Sequence, residues 1–254
     1  FRYYKLTNAE AITLSGQLSI RWIENDMNKY LNKILETEGE DYVIASDTDS
    51  IYLHLGPLVD KFFGTVPDTT KIVDLLDKIC VDKFQPFIDN SYNKLANYVN
   101  AYSQKMVMAR ENIAVRGIWT AKKRYILNVW DSEGVRYNEP KLKMMGIEAV
   151  KSSTPAPCRD KIKDCLKVIM NETEADAIKF IQDFRKTFKT LPAEEIAFPR
   201  TASNVEKWMD RTTVYKKGTP IHVRGALMYN KKITDNDLGH KYPTINNGEK
   251  IKFI

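Results

Sequence analysis

The chain has 254 residues, 43% of them hydrophobic and 11% aromatic, enough apolar surface for one large or two modest domains and too much for a disordered tail. It contains no apolar run of about 18 residues and no signal-peptide pattern, which argues against a membrane span and for a soluble, intracellular protein. The net charge of +6 is unevenly spread. Between Lys105 and Lys167 there are 14 Lys and Arg against 7 Asp and Glu, so the surplus lies in that window and the remainder is close to neutral. A local surplus of this size suits a polyanion, with nucleic acid the first candidate and an ordinary solvated surface the alternative.

The start, Phe1 to Tyr4, is aromatic and reads as the middle of something, with material expected upstream. Thr7-Asn8-Ala9-Glu10 has the form of a capping box and predicts the opening of a long amphipathic helix. Ile12, Ile20, Ile23, Met27, Leu31 and Ile34 recur along it at helical spacing, and Glu38-Gly39 should stop it. Two β-prone runs, Tyr42–Ser46 and Ile51–Leu55, flank Asp47-Thr48-Asp49-Ser50 and predict a hairpin with an acidic turn.

A second long helix is predicted over Thr69 to Ser103, with Ile72, Leu76, Ile79 and Val81 inward and a kink or break at Pro86. Gly117–Trp119, Tyr125–Trp130 and Val135–Tyr137 read as strands, with Asp131–Gly134 as the turn between the last two. After Ser152–Pro157 the pattern becomes helical. Ile162, Leu166 and Ile169, then Ile178, Ile181, Phe184 and Phe188, predict two amphipathic helices joined near Asn171. A domain boundary is expected at about residue 150. The last 60 or so residues read as irregular, with a strand expected at Ile221 to Tyr229. Cys80, Cys158 and Cys165 are odd in number and lack C-x-x-C spacing, which favours buried reduced thiols. His54, His222 and His240 are scattered and give a zinc site no support.

The acidic turn carries the most chemistry. On extended backbone, side chains two apart share a face, so Asp47 and Asp49 can present both carboxylates one way. Two such anions repel unless a cation lies with them, and a hard divalent ion such as magnesium takes one or two carboxylates together with phosphate oxygens. The plain alternative is a turn made of residues that favour turns. A calcium loop is disfavoured, because the D-x-D-x-D-G spacing is absent.

Four stretches then resemble one family in its order. Y-V-I-A-S-D-T-D-S-I-Y (Tyr42–Tyr52) resembles the hairpin motif of family B DNA polymerases. Trp119–Tyr125 is similar to their K-K-R-Y segment, Pro140–Glu148 with Lys151–Pro155 to their palm-to-thumb crossing, and Pro220–Gly225 to a thumb motif. Phe1 to Thr13 is similar to the helix entry past the fingers. Within the family, the chain is similar to the replicative enzymes of T-even-type bacteriophages.

The resemblance implies an α+β fold: residues 1–150 as part of a palm with antiparallel sheet and long helices, and 151–254 as a mainly α-helical thumb. It implies a DNA-directed DNA polymerase, with Asp49 as the essential metal ligand and Asp47 beside it as a weaker ligand or an outer group. Lys123 and Tyr125 would contact the primer, while Lys122 and Arg124 would neutralise phosphates or pack in support. The alternative for Tyr125 is a core tyrosine. Lys151 and Ser152 would hold duplex backbone, with Lys141, Lys143 and Arg224 as further contributors. Glu111 and Glu133 would lie near the active site as outer carboxylates.

The implied partners are primer–template DNA, deoxynucleoside triphosphates and two Mg2+ ions in a site completed from outside this chain, with a sliding clamp as a further candidate. The implied location is the cytoplasm of an infected bacterial host. The sequence also departs from the family. Ala45 and Ser46 stand where most relatives have an aromatic residue and glycine, which should alter the fit near the primer terminus. The other metal-binding aspartate, the fingers and the exonuclease are expected upstream, so a separate N-terminal polypeptide is expected for activity. The alternative is a non-catalytic DNA-binding module derived from a polymerase.

Overall fold

A computed structural model describes residues 4–64 and 68–253, so the first three positions of the aromatic start lie outside the described residues. Helix accounts for 51% and strand for 21%, with the strands in small antiparallel sheets. This is the α+β class expected. The chain forms two compact units, one of Phe1–Gly117 with Leu127–Lys141 and one of Ile118–Ile126 with Leu142–Ile254.

The first unit is built on helix α1 (Leu6–Leu35). Ile23, Met27 and Leu31 recur every four residues and have no exposed surface, so one stripe of the second half of the helix is core. The first half differs from expectation. Thr7 does not cap the helix, which starts at Leu6 with Lys5 at its N-cap and no side-chain cap. Residues 4–18 are all exposed, and Ile12 is 75% exposed, because no described element covers these turns. The helix ends at Glu36, whose φ of 59° supplies the left-handed cap expected nearer Gly39.

Strands β1 (Val43–Asp47) and β2 (Ser50–Leu53) form the predicted hairpin, and α2 (Gly56–Phe63) follows. Helix α3 (Thr69–Ile79) passes through a π-helical turn, Cys80–Phe84, into α4 (Gln85–Tyr98). The predicted break at Pro86 is thus a widened turn. Gln85 N–H donates back five residues to the Cys80 carbonyl, and Pro86, which has no N–H to give, sits in the first turn of α4. The extra residue rotates the buried face. Val73 and Leu76 are core, whereas Val81, expected inward, is 64% exposed.

Strands β3 (Asn112–Ala121), β4 (Arg124–Ser132) and β5 (Val135–Met145) follow in a sheet of that order. All three are longer than the apolar runs that predicted them. Glu133 and Gly134, at φ of 52° and 88°, make the β4–β5 turn. Asp131 of β4 is wholly buried. Arg110 pairs with it and with Asp77, the latter at 2.7 Å, and Arg136 reaches it at 2.9 Å while also pairing with Asp74 at 3.1 Å. The Gly134 N–H donates to the same carboxylate at 3.1 Å. A buried carboxylate is tolerated only with such partners.

The second unit holds α5 (Ala156–Asn171), α6 (Glu174–Phe188), α7 (Ala193–Ile196), β6 (Phe198–Thr201), α8 (Val205–Trp208), β7 (Met209–Asp210), β8 (Val214–Tyr215), α9 (Ile221–Asp235) and β9 (Lys250–Phe253). The two predicted helices are α5 and α6, the latter opened by a capping box between Thr173 and Asp176. Their apolar stripes are less buried than expected, with Ile169, Ile178 and Ile181 exposed. The strand expected at Ile221 to Tyr229 is instead the start of α9. Pro220 at the N-cap favours that outcome, and Val223, Ala226 and Leu227 are buried at helical rather than alternating positions. Strand β6 pairs with β9 and β7 with β8, where irregular chain was expected.

The buried charge cluster gives the first test. Replacing Asp131 by alanine removes the buried partner of Arg110 and Arg136, leaving Arg110 with Asp77 alone, and should cost about 3 kcal/mol of stability. Urea unfolding of the variant measures this, and Asp74→Ala, at the exposed edge of the cluster, should cost far less.

Candidate metal-binding turn and nucleic-acid interface

Helix α1 fixes where the acidic hairpin begins. The Asn28 side-chain carbonyl accepts from the backbone N–H of Tyr42 at 2.8 Å and of Val43 at 3.0 Å, and its amide donates to Asp41 at 2.8 Å. Four residues on, the Asn32 amide donates to the Glu40 carbonyl at 2.7 Å while its oxygen accepts the Glu40 N–H at 3.0 Å. Tyr42 and Val43 are buried against α1 in the same core as Leu58 and Phe84. His54 N–H closes the base of the hairpin on the Tyr42 carbonyl at 2.8 Å. The sequence reading missed both asparagines. Their signal is an i, i+4 pair of amides beside the apolar stripe.

At the tip, Asp47 pairs with Ser50, leaving Thr48 and Asp49 as the loop. The turn is tight: Asp49 N–H donates to the Asp47 carbonyl at 2.6 Å, a contact spanning two residues. Thr48 sits at φ 56°, a costly conformation for a β-branched residue and one that concentrates at functional positions. Its hydroxyl donates to the Asp47 carboxylate at 3.0 Å, and the Ser50 hydroxyl to the Asp47 carbonyl at 3.2 Å. Asp47 is half-buried and Asp49 exposed.

The turn therefore offers two carboxylates on one short stretch, one held and one open. Oxygen donors of this kind fit magnesium, which needs only one or two protein carboxylates. Among the described residues no third His, Cys, Asp or Glu joins them. Glu111 and Glu133 meet each other through the backbone, Glu133 N–H donating to the Glu111 carbonyl at 2.6 Å. Ser46, opposite Ile51, is exposed, and Ala45 is half-buried opposite Tyr52.

In the second unit, Lys122 and Lys123 form the two-residue turn between β3 and β4, and Arg124 and Tyr125 begin β4. The basic segment is thus a turn entering a strand. Lys123 sits at φ 60°, and both lysines are exposed. Tyr125 is only 6% exposed, with its ring 6.3 Å from that of Trp119. Gly146 packs directly under the turn: a side chain there would run into the Lys123 carbonyl, and its φ is +66°.

Glu148 gathers two of the expected phosphate-binding cations. Its carboxylate pairs with Arg124 through one oxygen and with Lys151 at 3.1 Å through the other. The Lys151 hydrogen bond, with the nearby charges, holds the Glu148 carboxyl below its ordinary range. The sequence reading gave Glu148 no role. Its signal is a lone acid within a basic stretch. Beyond Lys151 lies an open cleft of about 660 Å³, whose lining includes Ser152, Arg159, Arg200, Lys250 and Lys252.

The remaining expected residues are placed separately. Lys141, in the first unit, lies 3.9 Å above the Tyr137 ring, and Lys143 is half-buried in β5. Arg224 stands in the first turns of α9 and donates through Nε to the Thr219 carbonyl at 2.7 Å. The cysteines are half-buried. Burial pushes Cys80 up to about 11 and raises Cys158 and Cys165, as inert reduced thiols require.

The chain thus carries an acidic hairpin in one unit and a basic turn in the other, and comparison with known proteins bears on what such a chain belongs to. No family model matches the chain. The chain is homologous to part of DNA-directed DNA polymerases: it is 41% identical over 260 residues to the enzyme of Escherichia phage RB69 and 36% identical over 243 residues to that of Enterobacteria phage T4. These matches cover 99% and 92% of this chain but only 28% and 27% of the relatives, so the chain spans about a quarter of their length. The resemblance to phage replicative polymerases read from the motifs is borne out.

Gly146 yields a second prediction. Gly146→Ala adds a methyl into the Lys123 carbonyl at a left-handed position, so it should destabilise by more than about 1 kcal/mol. Thermal melting of the variant should show a lowered midpoint, whereas Gly134→Ala, which meets no atom within 4 Å, should lose only the conformational part.

Proposed function

We propose that the chain is the palm-and-thumb portion of a DNA-directed DNA polymerase, contributing one side of a metal site and the grip on primer–template DNA. Residues 1–150 are assigned to the palm and 151–254 to the thumb. The observation that carries the reading is the placement of Asp47 and Asp49 on one strained turn, in a chain whose matches to phage polymerases extend over nearly all its residues.

In this reading Asp49 is the metal ligand and Asp47, tied down by Thr48, is its weaker neighbour. Bound Mg2+ would lower the pKa of the primer 3′ hydroxyl and stabilise charge on the nucleotide phosphates. Lys122, Lys123 and Arg124 neutralise primer phosphates, a contact that supplies affinity without sequence preference. Tyr125, largely buried, braces the turn and offers at most an edge to the minor groove. Lys151 and Ser152 hold duplex backbone, with Lys141, Lys143 and Arg224 in support. Deoxynucleoside triphosphates are the substrates, and an N-terminal polypeptide supplies the second aspartate and the nucleotide-binding elements. Phage relatives favour the cytoplasm of an infected bacterium as the setting.

Primer extension tests this. The chain alone, with Mg2+ and nucleotides, should extend nothing, and mixing with the upstream polymerase polypeptide should restore extension. Asp49→Ala should then reduce extension by about a thousandfold or more while leaving duplex binding intact. Duplex binding with no extension from the mixture would favour the non-catalytic DNA-binding module instead.

A further inference from the structure

The arrangement around Glu148 presents a puzzle that charge alone does not answer. A surface meant to hold a polyanion places a carboxylate between two of its cations. Glu148 accepts from Arg124 Nη2 on one oxygen and from Lys151 Nζ on the other. Its position is fixed from below: it lies in a single 3-10 turn, Glu148–Val150, with Ile147 and Ala149 on either side buried in a core that includes Ile126. The carboxylate is therefore on backbone anchored in the core, while Arg124 and Lys151 reach it through long side chains. Arg124 is fixed at its own root as well, because Gly146 abuts the preceding Lys123 carbonyl and lies close to Arg124 Cγ.

We propose that Glu148 is a positioning residue for DNA, holding Arg124 and Lys151 convergent so that both address one stretch of phosphodiester backbone. The inference rests on the reading of Arg124 and Lys151 as duplex contacts. Each cation uses one donor on Glu148 and retains others, since arginine has five and lysine three. Two positive charges against one negative leave the trio cationic. Ordering these side chains beforehand removes entropy that binding would otherwise have to take from them. The cleft that starts at Ser152 continues the basic surface.

Simple electrostatics predicts the opposite effect of removing Glu148: one negative charge fewer should tighten binding to DNA. The test is fluorescence anisotropy of this chain with a labelled primer–template duplex, across a salt series. Glu148→Ala should weaken binding by roughly three- to tenfold although the net charge rises, and Glu148→Gln, which keeps the shape and one acceptor, should fall between it and the wild type. In the Arg124→Ala, Lys151→Ala background, Glu148→Ala should produce no further weakening, a non-additivity that a merely structural role would not give. Thermal melting of each variant monitors the fold, with Glu148→Gln as the isosteric substitute should Glu148→Ala unfold. Tighter or unchanged binding by Glu148→Ala, while Arg124→Ala and Lys151→Ala weaken it, overturns the positioning role alone. If neither cation substitution changes binding, the grip reading fails and the positioning role fails with it.

Discussion

The side-chain amide of Asn28 is the contact on which the acidic site depends. It satisfies the N–H groups of Tyr42 and Val43, the residues from which β1 departs, and so sets the hairpin's start on a helix whose next turns are core. A two-residue loop fixes register, and a slip by one residue would move every side chain to the other face. With the base clamped by Asn28, Asn32 and His54, the tip can hold Thr48 at a positive φ. Core burial at one end thus supports strain at the other, and the strain sits between the two aspartates.

The second unit uses the same logic with the charges reversed. Its basic turn also contains a non-glycine residue at positive φ, Lys123, and is backed by a glycine whose missing side chain makes room for the Lys123 carbonyl. Glu148, held on a short turn between two buried residues, then ties Arg124 to Lys151. In both places a residue outside the turn sets the geometry of the residues proposed to act. The first unit shows the limiting case in Asp131, a buried carboxylate whose two arginine partners bind α3 to β4 and β5 without any expected contact to DNA.

How far the sequence disclosed this depends on the range of the interaction. The acidic turn was legible because its chemistry lies within four residues and its strands flank it directly. The helices α1, α5 and α6 were legible from period alone, but not which stretches of them are buried. Ile12, Ile169, Ile178 and Ile181 carry the right spacing and remain exposed, because periodicity reports a face and not what covers it. Segment α9 was misread as a strand. Val223 and His222 suit a strand, and only Pro220 before them and Ala226-Leu227 after them favour a helix. The anchors Asn28 and Glu148 were missed because they act at separations of 14 and 24 residues, where no local pattern marks them.

The proposal that the Asp47–Asp49 turn holds the catalytic metal can be tested without measuring turnover. On primer–template DNA, and together with the part of a polymerase that this chain does not span, Fe2+ in place of Mg2+, with ascorbate and peroxide, cuts backbone close to wherever the ion is bound. A metal held at the turn should cleave this chain at residues 46–50, with cleavage suppressed by excess Mg2+ and lost in Asp49→Ala. Cleavage confined to other segments, or cleavage at the turn that persists in Asp49→Ala, would contradict it.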